Sequence, residues 1–281
     1  MKAAINAASG GLGGAIAQAT AQLLGKENVI AVARTPDKAA HLGLETRAGD
    51  YNDKAQLVAA YQGAEVVLLV SNNAPPQERV AQHHNVIEAA IEAGAKRVVF
   101  TSIAGGIRGG TFSPIVQTMQ ETETLLENSD IDWTIGRNGL YIEPDFESVN
   151  HYIKEGKISN SAGDAKCAYT SREELGQAYA RMIANEGHRS KIYNLTGPAI
   201  TQQELTNIIN ETFGAQLTYE ALTVAAYEQD RVAELGEFMG KIISGIYEAI
   251  HKGDFDVDSD FEAVAGRPHE TVKDFFAKHK A

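Results

Sequence analysis

Near its start the chain reads Asn6-Ala7-Ala8-Ser9-Gly10-Gly11-Leu12-Gly13-Gly14. Glycines this dense, between a short apolar run (Ala3–Ala7) and a helically spaced one (Leu12–Leu24), leave backbone N–H groups free to hold a phosphate at a helix N-terminus. A dinucleotide loop asks for glycine at a tight turn, at the closest backbone approach, and where helix meets sheet. Gly10 and Gly13 suit the last two demands, and Ala7 stands where the first glycine belongs. Ser9, Gly10, Gly11, Leu12 and Gly13 are thus candidate cofactor-binding residues. The next strand-like run ends Ala33-Arg34-Thr35-Pro36-Asp37-Lys38. An acid there would hold a ribose 2′-hydroxyl. Arg34 instead offers a planar guanidinium suited to a 2′-phosphate, and Lys38 adds a second charge one helical turn on. The pattern predicts NADP(H) over NAD(H).

These residues need a scaffold, and the hydrophobic rhythm supplies one. Strand-like runs over Val29–Arg34, Thr46–Asp50, Glu65–Ser71, Arg97–Ser102 and Trp133–Arg137 alternate with helical spacing over Leu12–Leu24, Asp53–Tyr61, Glu78–Ala93 and Ile115–Glu127. Continuous apolar strands separated by helices indicate a parallel sheet covered on both faces. The expectation is an α/β fold, a Rossmann-type doubly wound parallel sheet with a small C-terminal α/β lobe. Residues 1–140 would form the NADP-binding core, and residues 141–281 a smaller substrate-side lobe built onto the same sheet. In that lobe Thr201 and Glu204 have the spacing of a capping box.

Composition bounds the rest. Lys and Arg number 25 against 37 Asp and Glu, a net charge of −12 that disfavours nucleic-acid backbones. Eleven acids and three bases between Tyr219 and Glu262 account for −8 of it, read as a solvated face on late helices. No apolar run approaches the ~18 residues of a membrane span. A lone Cys167 fits a reducing, cytoplasmic setting. The eight His show no metal-ligand spacing, and Asp254, Asp256, Asp258 and Asp260 lack the glycine and terminal glutamate of a calcium loop. No metal is expected. A homodimer is compatible with the sequence, which does not decide the oligomeric state.

The runs INAASGGLGG, VARTPDKA, GDYND, LLVSNN, QHHNVIEAA, FTS and RNGLY together resemble the NmrA-like atypical short-chain dehydrogenase/reductases. AGDAKCAYTSREELGQAYA and EGHRSKIYNLTG extend the likeness over essentially the whole chain. The branches most similar are the type 2 NAD(P)H:quinone oxidoreductases and the triphenylmethane reductases. The resemblance implies that Gly10, Leu12 and Gly13 form the phosphate loop and that Arg34, with Lys38, takes the 2′-phosphate. It places Asp50 and Tyr51 by the adenine, and Ser71 and Asn72 on the ribose and nicotinamide side. Thr101 and Ser102 would end a strand beside the nicotinamide, and Asn138, Gly139 and Tyr141 would close the substrate crevice. Gln82, His83 and Asn85 could be structural or functional. Ala7 departs from the family's G-A-T-G loop, and its methyl is tolerated if φ there is negative.

Ordinary short-chain dehydrogenases use a Tyr-x-x-x-Lys pair, the Lys lowering the Tyr pKa for proton exchange. None of the ten tyrosines has Lys four places on, and the helix where the pair belongs (Ser113–Glu127) has no Tyr, Lys or His. Met119 stands where the quinone-reductase branch keeps a basic residue. A quinone accepts hydride readily, so its reduction depends mainly on placement. The expected activity is NADPH-dependent hydride transfer to a quinone-like small molecule, with Ser102, Asn138 and Tyr141 positioning the acceptor. The alternative is a non-catalytic NADP(H)-binding redox sensor of the NmrA type.

Overall fold

The computed structural model describes residues 1–72, 74–105 and 112–280, with Ser113 described in its backbone only. Asn73 of the LLVSNN run lies outside them. In the first half, strands β1 (Ala3–Ile5), β2 (Val29–Ala33), β3 (Glu45–Ala48), β4 (Val66–Val70), β5 (Arg97–Ile103) and β6 (Asp132–Asn138) are interleaved with helices α1 (Gly11–Leu24), α2 (Lys54–Tyr61), α3 (Pro76–Glu92) and α4 (Ser113–Glu127). Next come β7 (Leu140–Tyr141), α5 (Glu143–Glu147), α6 (Val149–Glu155), β8 (Lys157–Asn160), β9 (Lys166–Thr170), α7 (Arg172–Ala184) and β10 (Lys191–Leu195). The chain finishes with β11 (Ala199–Thr201), α8 (Gln202–Phe213), β12 (Thr218–Ala221), α9 (Val224–His251), α10 (Phe261–Ala265) and α11 (Val272–His279).

Seven strands form one parallel sheet in the order β10-β6-β5-β4-β1-β2-β3. Both faces are buried, which is why β2 and β4 read as unbroken apolar runs. On one face Ile5, Ala31, Leu68 and Val99 pack on α1 and α7; on the other Ile30, Val67, Leu69 and Phe100 pack on α2, α3 and α4. The order reverses at β1, which pairs with β2 on one side and β4 on the other. A crevice opens beyond the strand ends at that reversal. β1 stops at Ile5, two residues before the apolar run does, because Ala7 turns to φ +52°. That contradicts the negative φ under which its methyl is unstrained.

After β6 the chain divides its material between two places. Helix α7 returns to pack along α1, and β10 extends the central sheet beside β6. The segments around them build a separate core of Ile142, Cys167, Tyr169, Ile209, Phe255 and Phe276, with a three-stranded sheet (β11-β9-β7) and a two-stranded one (β12-β8). Thr201 and Glu204 do make the reciprocal capping box. No helix among the described residues is long and apolar enough to cross a membrane.

Candidate active site

The loop after β1 is anchored from beneath. Buried Asn6 donates from Nδ2 to the Leu68 carbonyl at 2.8 Å and accepts from the Tyr61 hydroxyl at 2.9 Å. The Gly10 N–H closes the turn onto the Ala7 carbonyl at 2.9 Å. A Cβ on Gly13 would collide with that same carbonyl, so the helix start lies directly against the turn. The first turn of α1 therefore faces the crevice with free backbone N–H groups.

A cleft of about 690 Å³ runs across these strand ends. Ser9, Gly10, Gly11, Leu12 and Gly13 line it from the loop, Arg34 from the end of β2, and Asp50 and Tyr51 from the turn after β3. Ser71 and Asn72 line it after β4, and Tyr141 lines it from β7. Arg34 is exposed and makes no hydrogen bond or ion pair among the described residues. Lys38 does not line the cleft. Arg34 sits in a bend after β2, Thr35 is extended and a 3-10 turn starts only at Pro36, so the helical spacing expected between Arg34 and Lys38 does not exist. The Tyr51 hydroxyl donates to the Val70 carbonyl at 2.9 Å, and burial pushes its pKa up, so it is a neutral wall. Gln82 joins Asn72 to Asn52, and Asn85 Nδ2 donates to the Tyr51 carbonyl at 2.9 Å; both hold the loops that bound the cleft. His83 faces away into the core, with Nδ1 2.8 Å from Thr122 and its ring edge-on to Phe100.

The three acceptor-side candidates do not share one wall. Tyr141 lines the cleft, and its phenol is pushed up by burial, so it keeps its proton. Asn138 is buried behind it: its Oδ1 at 2.7 Å and the Gly136 carbonyl at 2.8 Å share the one Tyr179 hydroxyl proton, and its Nδ2 makes a long 3.4 Å contact to the Tyr141 oxygen. Ser102 lies on the opposite face of β5. It borders a second cavity of about 340 Å³ with Met119, Val116, Ile103 and Val257, and its hydroxyl donates to Glu123 at 2.5 Å. Glu123 is also bound by Arg137, Nε at 3.0 Å and Nη2 at 2.5 Å. Ser102 is thus a hydrogen-bond acceptor toward that cavity, because its proton is committed. Thr101 on the cleft side accepts from the Ser71 N–H at 3.0 Å.

Sequence reasoning missed Glu123, Arg137 and Arg172. Glu123 carried a signal, since it follows Met119 by four residues on the apolar face of α4. Arg172 gave only a hint through its position after the cap Ser171.

Likeness to known proteins settles the lineage. A family profile described as NAD(P)H-binding matches residues 8–186. The chain belongs to this family. It is 36% identical over 230 residues to quinone oxidoreductase 2 of Escherichia coli K12, covering 80% of this chain and 79% of that protein. An E. coli NADPH-dependent quinone oxidoreductase crystallised with NADPH superposes with a TM-score of 0.90 at 30% identity, over 99% of each chain. The triphenylmethane reductase of Citrobacter sp., complexed with NADP(H), gives 0.91 at 28% identity over the whole of both chains. The protein is an NAD(P)H-dependent oxidoreductase related to quinone oxidoreductase 2. Its loop fits that cofactor: the close Gly13 contact seats the start of α1 on the turn after β1, and Arg34, unpaired among the described residues, lines the same cleft.

Proposed function

We propose that the protein reduces quinone-like, ring-delocalised acceptors with NADPH. When bound, the reduced nicotinamide supplies hydride. Arg34 supports the choice of NADPH, because a planar, permanently charged, unpaired guanidinium at the end of β2 suits a 2′-phosphate. The observation that carries the acceptor reading is the chain Tyr179–Asn138–Tyr141, which reaches the cleft at Tyr141. Tyr179 orients the Asn138 amide, the amide donates to the Tyr141 oxygen, and the Tyr141 O–H is left to donate toward an acceptor oxygen. With no Lys to lower its pKa, Tyr141 orients and hydrogen-bonds, and water completes protonation of an acceptor that takes hydride readily. Relatives that act on quinones and on triphenylmethane dyes support an acceptor of this class.

Purified protein with NADPH and a panel of benzoquinones, naphthoquinones and cationic dyes tests the reading. Acceptor-dependent loss of NADPH absorbance, faster than with NADH, is expected. Arg34→Ala should erase the preference for NADPH, and Tyr141→Phe should lower kcat about tenfold. NADPH binding without turnover across the panel would replace this reading with the non-catalytic sensor.

A further inference from the structure

Helix α7 enters about 160 residues after the phosphate loop and comes back to it. A Cβ on Gly176 would lie 3.0 Å from the Ala15 carbonyl oxygen, so α7 and α1 touch backbone to backbone one turn inside their starts. One turn earlier on each helix, the Arg172 Cδ lies 3.0 Å from where a Cβ on Gly11 would stand. The two helices therefore run in the same direction with their first residues together. Arg172 lines the cleft, and its guanidinium carbon sits 5.3 Å from the Tyr141 ring centroid. Its backbone N–H is tied to Glu143 at 2.6 Å, and Ser171 caps the helix, so the residue's position is fixed. The guanidinium itself makes no hydrogen bond or ion pair among the described residues.

An unpaired guanidinium against a phosphate-binding loop has one evident task. We infer that Arg172 clamps the bridging phosphates of the dinucleotide from above the loop, complementing the backbone N–H groups of α1 from below. The inference rests on the NADPH reading above, and it separates two charges by what they recognise. Arg34 would read the 2′-phosphate, which only NADPH has. Arg172 would read the pyrophosphate, which NADH and NADPH share.

Equilibrium titration of both dinucleotides, followed by nicotinamide fluorescence or calorimetry, distinguishes the two. Arg172→Ala should weaken NADPH and NADH by the same factor, about ten- to a hundredfold. Arg172→Met, which keeps the apolar stem on Gly11, should show the same loss; Arg172→Lys should recover part of it. The salt dependence of binding should flatten in the Ala and Met variants. Arg34→Ala should weaken NADPH alone. Unchanged affinity in Arg172→Met, or a loss confined to NADPH, would overturn the clamp. Failure of the unmodified protein to bind either dinucleotide would instead remove the cofactor reading, and the clamp with it.

Discussion

Ala7 is a non-glycine residue held at φ +52°, where an L side chain meets its own following carbonyl. Its neighbours impose that conformation. The Gly10 N–H pulls on the Ala7 carbonyl, and the Ala8 N–H donates to Val32 at 3.1 Å. The left-handed turn costs about 1–2 kcal/mol for alanine, and glycine would remove that cost while loosening the unfolded chain by less. Ala7→Gly is therefore expected to gain about 0.5–1 kcal/mol in urea unfolding, with NADPH affinity kept or improved. A lower midpoint would show that the loop carries no strain at this position.

Helix α3 shows how an element sorts its residues between site and core. Gln82 and Asn85 brace the cleft, whereas His83 is buried against α4. Thr122 gives its own proton to the Thr118 carbonyl, so His83 Nδ1 donates to it and the ring is neutral. Burial, aided by the Arg79 charge, pushes the His83 pKa down from 6.5 to about 3. Below pH 6.5 the unfolded chain takes up a proton that the folded one refuses, so stability falls as pH drops toward 3, by about 1.4 kcal/mol per pH unit. Relative to His83→Gln, the protein should lose about 2 kcal/mol between pH 7 and pH 5 in denaturant titrations. Parallel losses would mean that the ring already carries its proton when folded. This sorting also marks what the sequence could reveal. The glycine loop and Arg34 were legible because their meaning is local: a turn after a strand, and a charge at a strand end. Ser102 was not, because β5 is buried on both faces and its apolar run does not say which residue faces the cleft. Glu123 and Arg172 act through contacts with elements distant in sequence, which periodicity does not record. Lys38 does not follow Arg34 by one helical turn, because Arg34 lies in a bend and the 3-10 turn begins only at Pro36.

At the scale of the whole molecule, the C-terminal segment stitches onto the cofactor half, and not all of its acids are solvated. Asp260 accepts from the Asn194 N–H on β10 at 2.8 Å, and its own N–H donates back to the Asn194 carbonyl at 2.8 Å. Between α10 and α11, Arg267 grips Glu174 through two bonds, Nη1 at 2.8 Å and Nη2 at 2.5 Å. Glu174 is buried on α7, two residues beyond Arg172, and also accepts from the Glu270 N–H at 3.0 Å. Burial raises its pKa, but the Arg267 and Glu270 bonds outweigh that and hold it below the usual range. Removing Arg267 leaves a carboxylate with its main partner gone, at the start of the helix that positions Arg172. Because the Arg267 side chain is 45% exposed, water can replace part of the lost interaction. Arg267→Ala should then cost about 1–2 kcal/mol, less than a fully buried pair. Glu174→Gln in the same chain should restore part of that loss, since it removes the stranded charge. Unfolding the two single variants and the double variant in urea measures the coupling. NADPH titration of Arg267→Ala should show weaker binding through a loosened α7. Additive losses together with unchanged affinity would show that the C-terminal segment only covers the core and does not set the position of α7.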